Sequence, residues 1–133
     1  MFSENEISYI RSQYLARIAT VNSDGQPDVV PVGYEFDGSV FYIGGRFLPQ
    51  TRKFENILAG RSRIALVIDD LISVDPWQPR SIRIYGIAEP VEMTGRFGPG
   101  TYVKVTPNVS WSWAIDNESA YGRPQKTVHS TPA

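Results

Sequence analysis

Between Gly44 and Lys53 the chain sets two glycines, a hydroxyl and three cations: Gly44, Gly45, Arg46, Thr51, Arg52 and Lys53. Glycines let a backbone approach a ligand closely. A hydroxyl and cations at the start of a helix suit a phosphate group. Each charge-assisted contact of that kind contributes about 1.5–3 kcal/mol. The same residues also fit an ordinary Gly-Gly loop followed by a solvated helix face. The segment is neither a P-loop nor a GxGxxG turn. A second group holds flat and cationic side chains: Trp77, Arg80, Trp111 and Trp113. These could line a slot for a planar ring system. Trp111 and Trp113, two residues apart on one strand face, could equally fill core or a subunit seam.

Other chemistries lack their residues. The chain has no cysteine, so disulfides, thiolates, iron–sulfur clusters and Cys-type zinc sites are excluded. His129 is the one histidine, which argues against a His-based metal site or a Ser-His-Asp triad. Ser110 and Ser112 have no histidine near them in sequence and read as lacking a partner. Asp69, Asp70, Asp75 and Glu89 show no spacing for a metal or a glycosidase pair, and Asp69-Asp70 reads as a solvent-facing strand end. A protein without its own nucleophile, metal or obvious acid would leave hard chemistry to a bound cofactor with a phosphate handle.

The elements that must position these residues follow from pattern. At 133 residues, with 41% hydrophobic and 12% aromatic content, the chain has the size and composition of one folded domain. A net charge of −1 gives no overall case for nucleic acid or an anionic membrane. No apolar run reaches the length of a membrane span. The first residues have neither the basic nor the apolar region of a signal peptide, so the expected location is the cytoplasm.

Ser3 and Glu6 have capping-box spacing, predicting a helix over about 4–12 with Ile7, Ile10 and Tyr14 on one face. Strands are predicted at Leu15 to Val21, Asp28 to Phe36, Ser39 to Gly44, Arg63 to Asp69 and Arg80 to Met93. A last, bent one runs through 102–105 and 109–114. Gly25 suits a positive φ in the first hairpin, and Gly86 marks a bend or bulge. Pro31 predicts a bulge or an exposed edge. A second helix is predicted at about 51–59, burying Phe54, Ile57 and Leu58 and stopping at Gly60. Residues 70–79 read as a loop. The count is mainly β: six antiparallel strands and two short helices, closing into a small or split barrel over 1–116. Residues 117–133 read as a polar tail, disordered or wrapped onto a neighbour.

This order of segments resembles the pyridoxamine 5′-phosphate oxidase-like superfamily, with its flavin-binding split β-barrel. LARIATVNSDGQPDVVPVGYEFDG is similar to the family's opening hairpin, and FYIGGRFLPQTRKFENI to its phosphate-binding strand–loop–helix. RSRIALVIDD and RSIRIYGIAEPVE resemble the next two strands, and VKVTPNVSWSW the subgroup that uses the deazaflavin coenzyme F-420. The resemblance implies a homodimer with cofactor sites at the subunit interface. It implies that Val29, Val30, Pro31 and Val32 run beside the ring, that Gly45 and Arg46 lie near the ring and ribityl chain, and that Thr51, Arg52 and Lys53 hold the phosphate. Trp77, Arg80, Trp111 and Trp113 are placed more loosely, across the seam. The extra phosphate-binding arginines and C-terminal substrate residues of the oxidase proper have no match here.

The expected activity is an oxidoreductase in which reduced F-420 gives hydride to a small organic acceptor. Arg46 or Arg80 would stabilise negative charge on the acceptor, with the proton coming from solvent. FMN is the alternative cofactor. Surplus cations at Arg46, Arg61 and Arg63 favour the more anionic F-420. A non-catalytic protein that binds a cofactor or tetrapyrrole is the third expectation.

Overall fold

Ser3 opens the fold with a complete capping box. Its hydroxyl accepts from the Glu6 N–H at 3.1 Å, and the Glu6 carboxylate accepts from the Ser3 N–H at 3.0 Å. The computed structural model describes residues 1–44, 51–116 and 122–129. Its elements are α1 (Glu4–Ser12), β1 (Leu15–Val21), β2 (Pro27–Gly33), β3 (Glu35–Phe36), β4 (Phe41–Ile43), α2 (Arg52–Leu58), β5 (Arg63–Ser73), β6 (Gln78–Gly95), β7 (Gly98–Trp113) and β8 (Gln125–Val128).

All strand pairs are antiparallel, in the order β2-β1-β5-β6-β7-β4-β3, with β8 also on β7. The eight strands of the described residues form the expected mainly-β split barrel, two more than the six predicted. One extra strand arises at Tyr34, which turns inward and separates β2 from β3. Its buried hydroxyl meets the Ile10 carbonyl at 2.5 Å and the Gln13 carbonyl at 3.1 Å, tying the strand break to the end of α1. The other is β8, which pairs Gln125 to Val128 with Ser112 to Val109 of the same chain, so this part of the tail is sheet. Residues 70–79 are not a loop: β5 and β6 continue through Ser73 and from Gln78 and close in a tight hairpin.

The core forms on one sheet face. Alternate residues Ile18, Leu66, Ile68, Ile82, Ile84, Val103 and Val105 are almost wholly buried, with Phe41, Ile43, Phe54 and Ile57 packed among them. Side-chain alternation then places Ala19, Ala65, Tyr85 and Val109 together on the opposite face. On α1 the buried residues are Glu6, Tyr9 and Ile10. Tyr14, past the helix end, is 79% exposed, and Leu58 on α2 is 59% exposed; neither packs as predicted. Gly25 takes φ +80°, the register shifts between Tyr85 and Gly86 as predicted, and Pro31 sits on β2, an edge strand where a missing N–H is tolerated.

Candidate functional site

The first candidate region is the start of α2. Thr51 caps the helix, its hydroxyl accepting from the Phe54 N–H at 3.4 Å. The helix is then pinned to β1. Buried Asn56 donates from Nδ2 to Thr20 Oγ1 at 3.0 Å, and Arg61 donates from Nε to the Val21 carbonyl at 2.9 Å. These two contacts fix where Thr51, Arg52 and Lys53 stand relative to the sheet.

Arg52 is exposed and Lys53 half-buried. Burial holds the Lys53 ammonium below the usual lysine range, partly offset by the Asp28 carboxylate on β2. Among the described residues no carboxylate lies within ion-pair distance of Lys53. A partly desolvated cation beside Arg52 and a capped helix start is a suitable donor set for a phosphate. The cofactor anchor implied by the resemblance therefore fits the residues present. Arg61, bonded to β1, is part of the scaffold, while Arg63 stands exposed on β5.

Gly44 has a different role from the one its type suggested. A Cβ there would lie 2.2 Å from Cε2 of Tyr102. The glycine makes room for an aromatic ring of β7 rather than for a ligand. Tyr102 in turn organises the β6–β7 turn: its hydroxyl accepts from the N–H groups of Gly95 and Phe97 and donates to the Gly98 carbonyl at 2.8 Å. Gly45 and Arg46 lie outside the described residues.

The second region is the outer face of the sheet. A groove of about 530 Å³ crosses it from Pro27 and Val21 through Ala65 to Tyr85, Ile87 and Val109. It is mostly apolar, and several neighbours on this face are exposed, among them Val29 at 64% and Val128 at 71%. Val29 and Pro31 point to this face, opposite Ala19 and Arg17. Val30 and Val32 pair with Ile18 and Ala16 and point to the core. As β2 is an edge, part of its backbone is also free of sheet pairing.

Trp111 and Trp113 do meet an arginine, but it is Arg83 and not Arg80. Trp111 and Trp113 share the outer face with Arg83, their cross-strand neighbours being Arg83 and Ser81. The Arg83 guanidinium carbon is 4.4 Å from the Trp111 ring centroid, 5.7 Å from Trp113 and 5.5 Å from Tyr85. Trp77 stands apart, 55% exposed in the β5–β6 hairpin.

Arg80 points elsewhere, into a clasp with α1. It donates from Nε and Nη2 to the two Asp70 carboxylate oxygens at 2.8 and 2.9 Å. Tyr9 donates its hydroxyl to the same carboxylate at 2.8 Å, and the guanidinium carbon is 4.8 Å from the Tyr9 ring centroid. The hydrogen bonds from Arg80 lower the Asp70 pKa, and burial raises that of Tyr9. Asp69 pairs with Arg17 at 2.8 Å, so neither aspartate is simply a solvated strand end.

One partnership escaped the sequence reading altogether. Ser110 Oγ and His129 Nε2 are 2.9 Å apart, although 19 residues separate them. Pairing of β8 with β7 brings them together. Ser110 is fully buried, so the pair serves as an internal tie and not as an exposed nucleophile. Among the described residues no cluster of three or more His, Cys, Asp or Glu could hold a metal, and no helix is long and apolar enough to cross a membrane.

Residues 4–121 match the family described as pyridoxamine 5′-phosphate oxidase. The chain belongs to this family. A curated relative, the 5a,11a-dehydrotetracycline/5a,11a-dehydrooxytetracycline reductase of Streptomyces rimosus subsp. rimosus, is 33% identical over 127 residues, covering 91% of this chain and 89% of that one. Among solved structures, a protein described as an F420 reductase superposes with TM-score 0.59 at 23% identity, over 73% of this chain and 88% of that one. A heme binding protein from Mycobacterium smegmatis gives TM-score 0.72 at 19% identity, over 96% of this chain and 59% of that one. The structural neighbours share the fold. Family membership together with the reductase relative supports an oxidoreductase.

Proposed function

We propose that this protein is a reductase that binds coenzyme F-420 by its phosphate at Thr51, Arg52 and Lys53 and reduces a small organic acceptor. The observation that carries the proposal is the state of Lys53: half-buried, short of a carboxylate partner among the described residues, and set beside Arg52 at a capped helix start. A phosphate there would offset the burial that lowers its pKa. The reductase relative supports the direction of the chemistry, and its dehydrotetracycline substrate suggests an unsaturated organic acceptor. When bound, reduced deazaflavin supplies the hydride.

The chain's own contribution is positional. Thr51, Arg52 and Lys53 anchor one end of the cofactor. Val29 to Val32, on the edge strand, run beside its ring. The apolar groove excludes water around the acceptor. We assign the working form as a homodimer, because the exposed apolar face around Tyr85, Ile87 and Val29 is of the kind that a second copy covers.

Titration of the apo protein with F-420, and separately with FMN, followed by ligand fluorescence, tests the reading. The expected result is F-420 binding lost in Lys53→Ala. Tight FMN binding without F-420 binding would move the assignment to FMN. Size measurement in solution tests the homodimer, and a strict monomer would count against it.

A further inference from the structure

Arg83 on the outer face has a polar atom that sheet packing leaves without a partner among the described residues. Its Nε is buried and makes no hydrogen bond among the described residues. Its guanidinium carbon lies within cation–π range of Tyr85, Trp111 and Trp113. The pairing Arg17–Val67–Arg83–Trp111–Lys126 puts three cations in one row across five strands. The nearby carboxylate of Asp69, two residues along β5 from Val67, is taken by Arg17. The row is therefore cationic, aromatic on one side of Arg83, and apolar at Val67 on the other. A buried N–H without an acceptor is costly, and an arginine held against aromatic rings has little left to reorder when it meets an anion.

We propose that Arg83, with Trp111 and Trp113, is a receptor for an anionic oxygen on a flat organic ligand. The chemical class is a planar conjugated acid: an enolised ketone, a phenolate or an aromatic carboxylate. Trp111 offers a ring face for the flat part, and Arg83 offers in-plane N–H donors for the oxygen. Tyr85 belongs both to this cluster and to the apolar groove, so the two are continuous. Naming this ligand as the acceptor rests on the reductase reading; the receptor itself does not.

The test uses 2-naphthoate and its neutral isostere 2-naphthamide, titrated by calorimetry into the full-length protein without coenzyme. Naphthoate is expected to bind more tightly by about tenfold or more, the lower end of a charge-assisted hydrogen bond. Arg83→Met is expected to abolish that preference while leaving naphthamide unchanged, and Arg83→Lys to keep part of it. Arg83→Gln replaces Arg83→Met if circular dichroism shows the latter unfolded. Equal binding of the two probes to the unaltered protein, binding of neither, or a preference that survives the Arg83 substitutions would overturn the proposal. So would conversion of a dimer to a monomer by Arg83→Lys, which would make Arg83 a subunit contact. No arm contains F-420, so failure of the cofactor assignment leaves this result readable.

Discussion

Asn56 and Thr20 meet in a buried hydrogen bond of 3.0 Å that joins α2 to β1. Asn56→Ala leaves the Thr20 hydroxyl without this donor in the interior, at a cost of about 1–3 kcal/mol. Urea unfolding should show that loss. Because the same contact sets the position of Thr51 to Lys53, cofactor affinity should fall as well. Thr20→Ser, which keeps the hydroxyl, should retain affinity better than Thr20→Val.

Lys53 has its pKa lowered by burial. Phosphate binding favours the protonated form, so affinity should decline as pH rises, beginning below the ordinary lysine range. Phosphate binding should also raise the lysine's pKa and take up protons in that window. Calorimetric titrations in buffers of different ionisation enthalpy would measure the uptake. Lys53→Arg should flatten the profile, while Lys53→Ala should lose about 10- to 100-fold in affinity, the range of one charge-assisted contact.

The Tyr9–Asp70–Arg80 clasp predicts a split between stability and binding. Arg80→Ala should lower stability through the lost clasp. Both ionic partners are partly exposed, so a double-mutant cycle of Arg80 with Asp70 should give a coupling of about 1 kcal/mol or less. Asp70 has its pKa depressed in the fold, so its contribution is present above the ordinary carboxylate range and is lost as pH falls through the depressed value. Cofactor affinity measured by titration should stay unchanged in Arg80→Ala, because the arginine is engaged in the clasp.

His129 predicts acid sensitivity of the other end of the chain. Burial, and then the N-terminal ammonium, push its pKa down to about 4. Unfolded, the ring titrates near the ordinary histidine value of about 6.5. Between these values the unfolded chain binds more protons, so stability falls as pH drops through this window and no further below it. Melting temperatures of His129→Gln should show a shallower decline across the same window.

Tyr102 sits against Gly44 and Gly95, where added Cβ atoms would come within 2.2 and 2.8 Å of its ring. Gly44→Ala and Gly95→Ala should each destabilise by about 1–3 kcal/mol or more, as overpacking does. Thermal unfolding checks this, and the two losses should be non-additive because both act on one ring.

Local pattern was enough for several elements. The Ser3–Glu6 box determined where α1 begins, and the nearly unbroken apolar run from Ile64 to Ile68 marked β5 as a central strand, while packing decided which side chains face inward. Gly25 marked a turn through its positive φ, and Gly86 marked a register shift where a Cβ would lie 2.8 Å from the Thr106 carbonyl oxygen. The grouping of Thr51, Arg52 and Lys53 was equally legible, since they are contiguous at a helix start. Partnerships across the sheet were not legible, because register and side-chain parity decide them. Parity turns Arg83 to the outer face beside Trp111, while Arg80 forms its clasp with Asp70 and Tyr9. The tail from Gln125 carries no apolar alternation, so only its hydrogen bonds to β7 make it a strand and bring His129 to Ser110. Residue type and short spacing thus determined which chemistry was available. The packing of distant strands decided which side chains share a face, because contacts between residues far apart in sequence have no local signature.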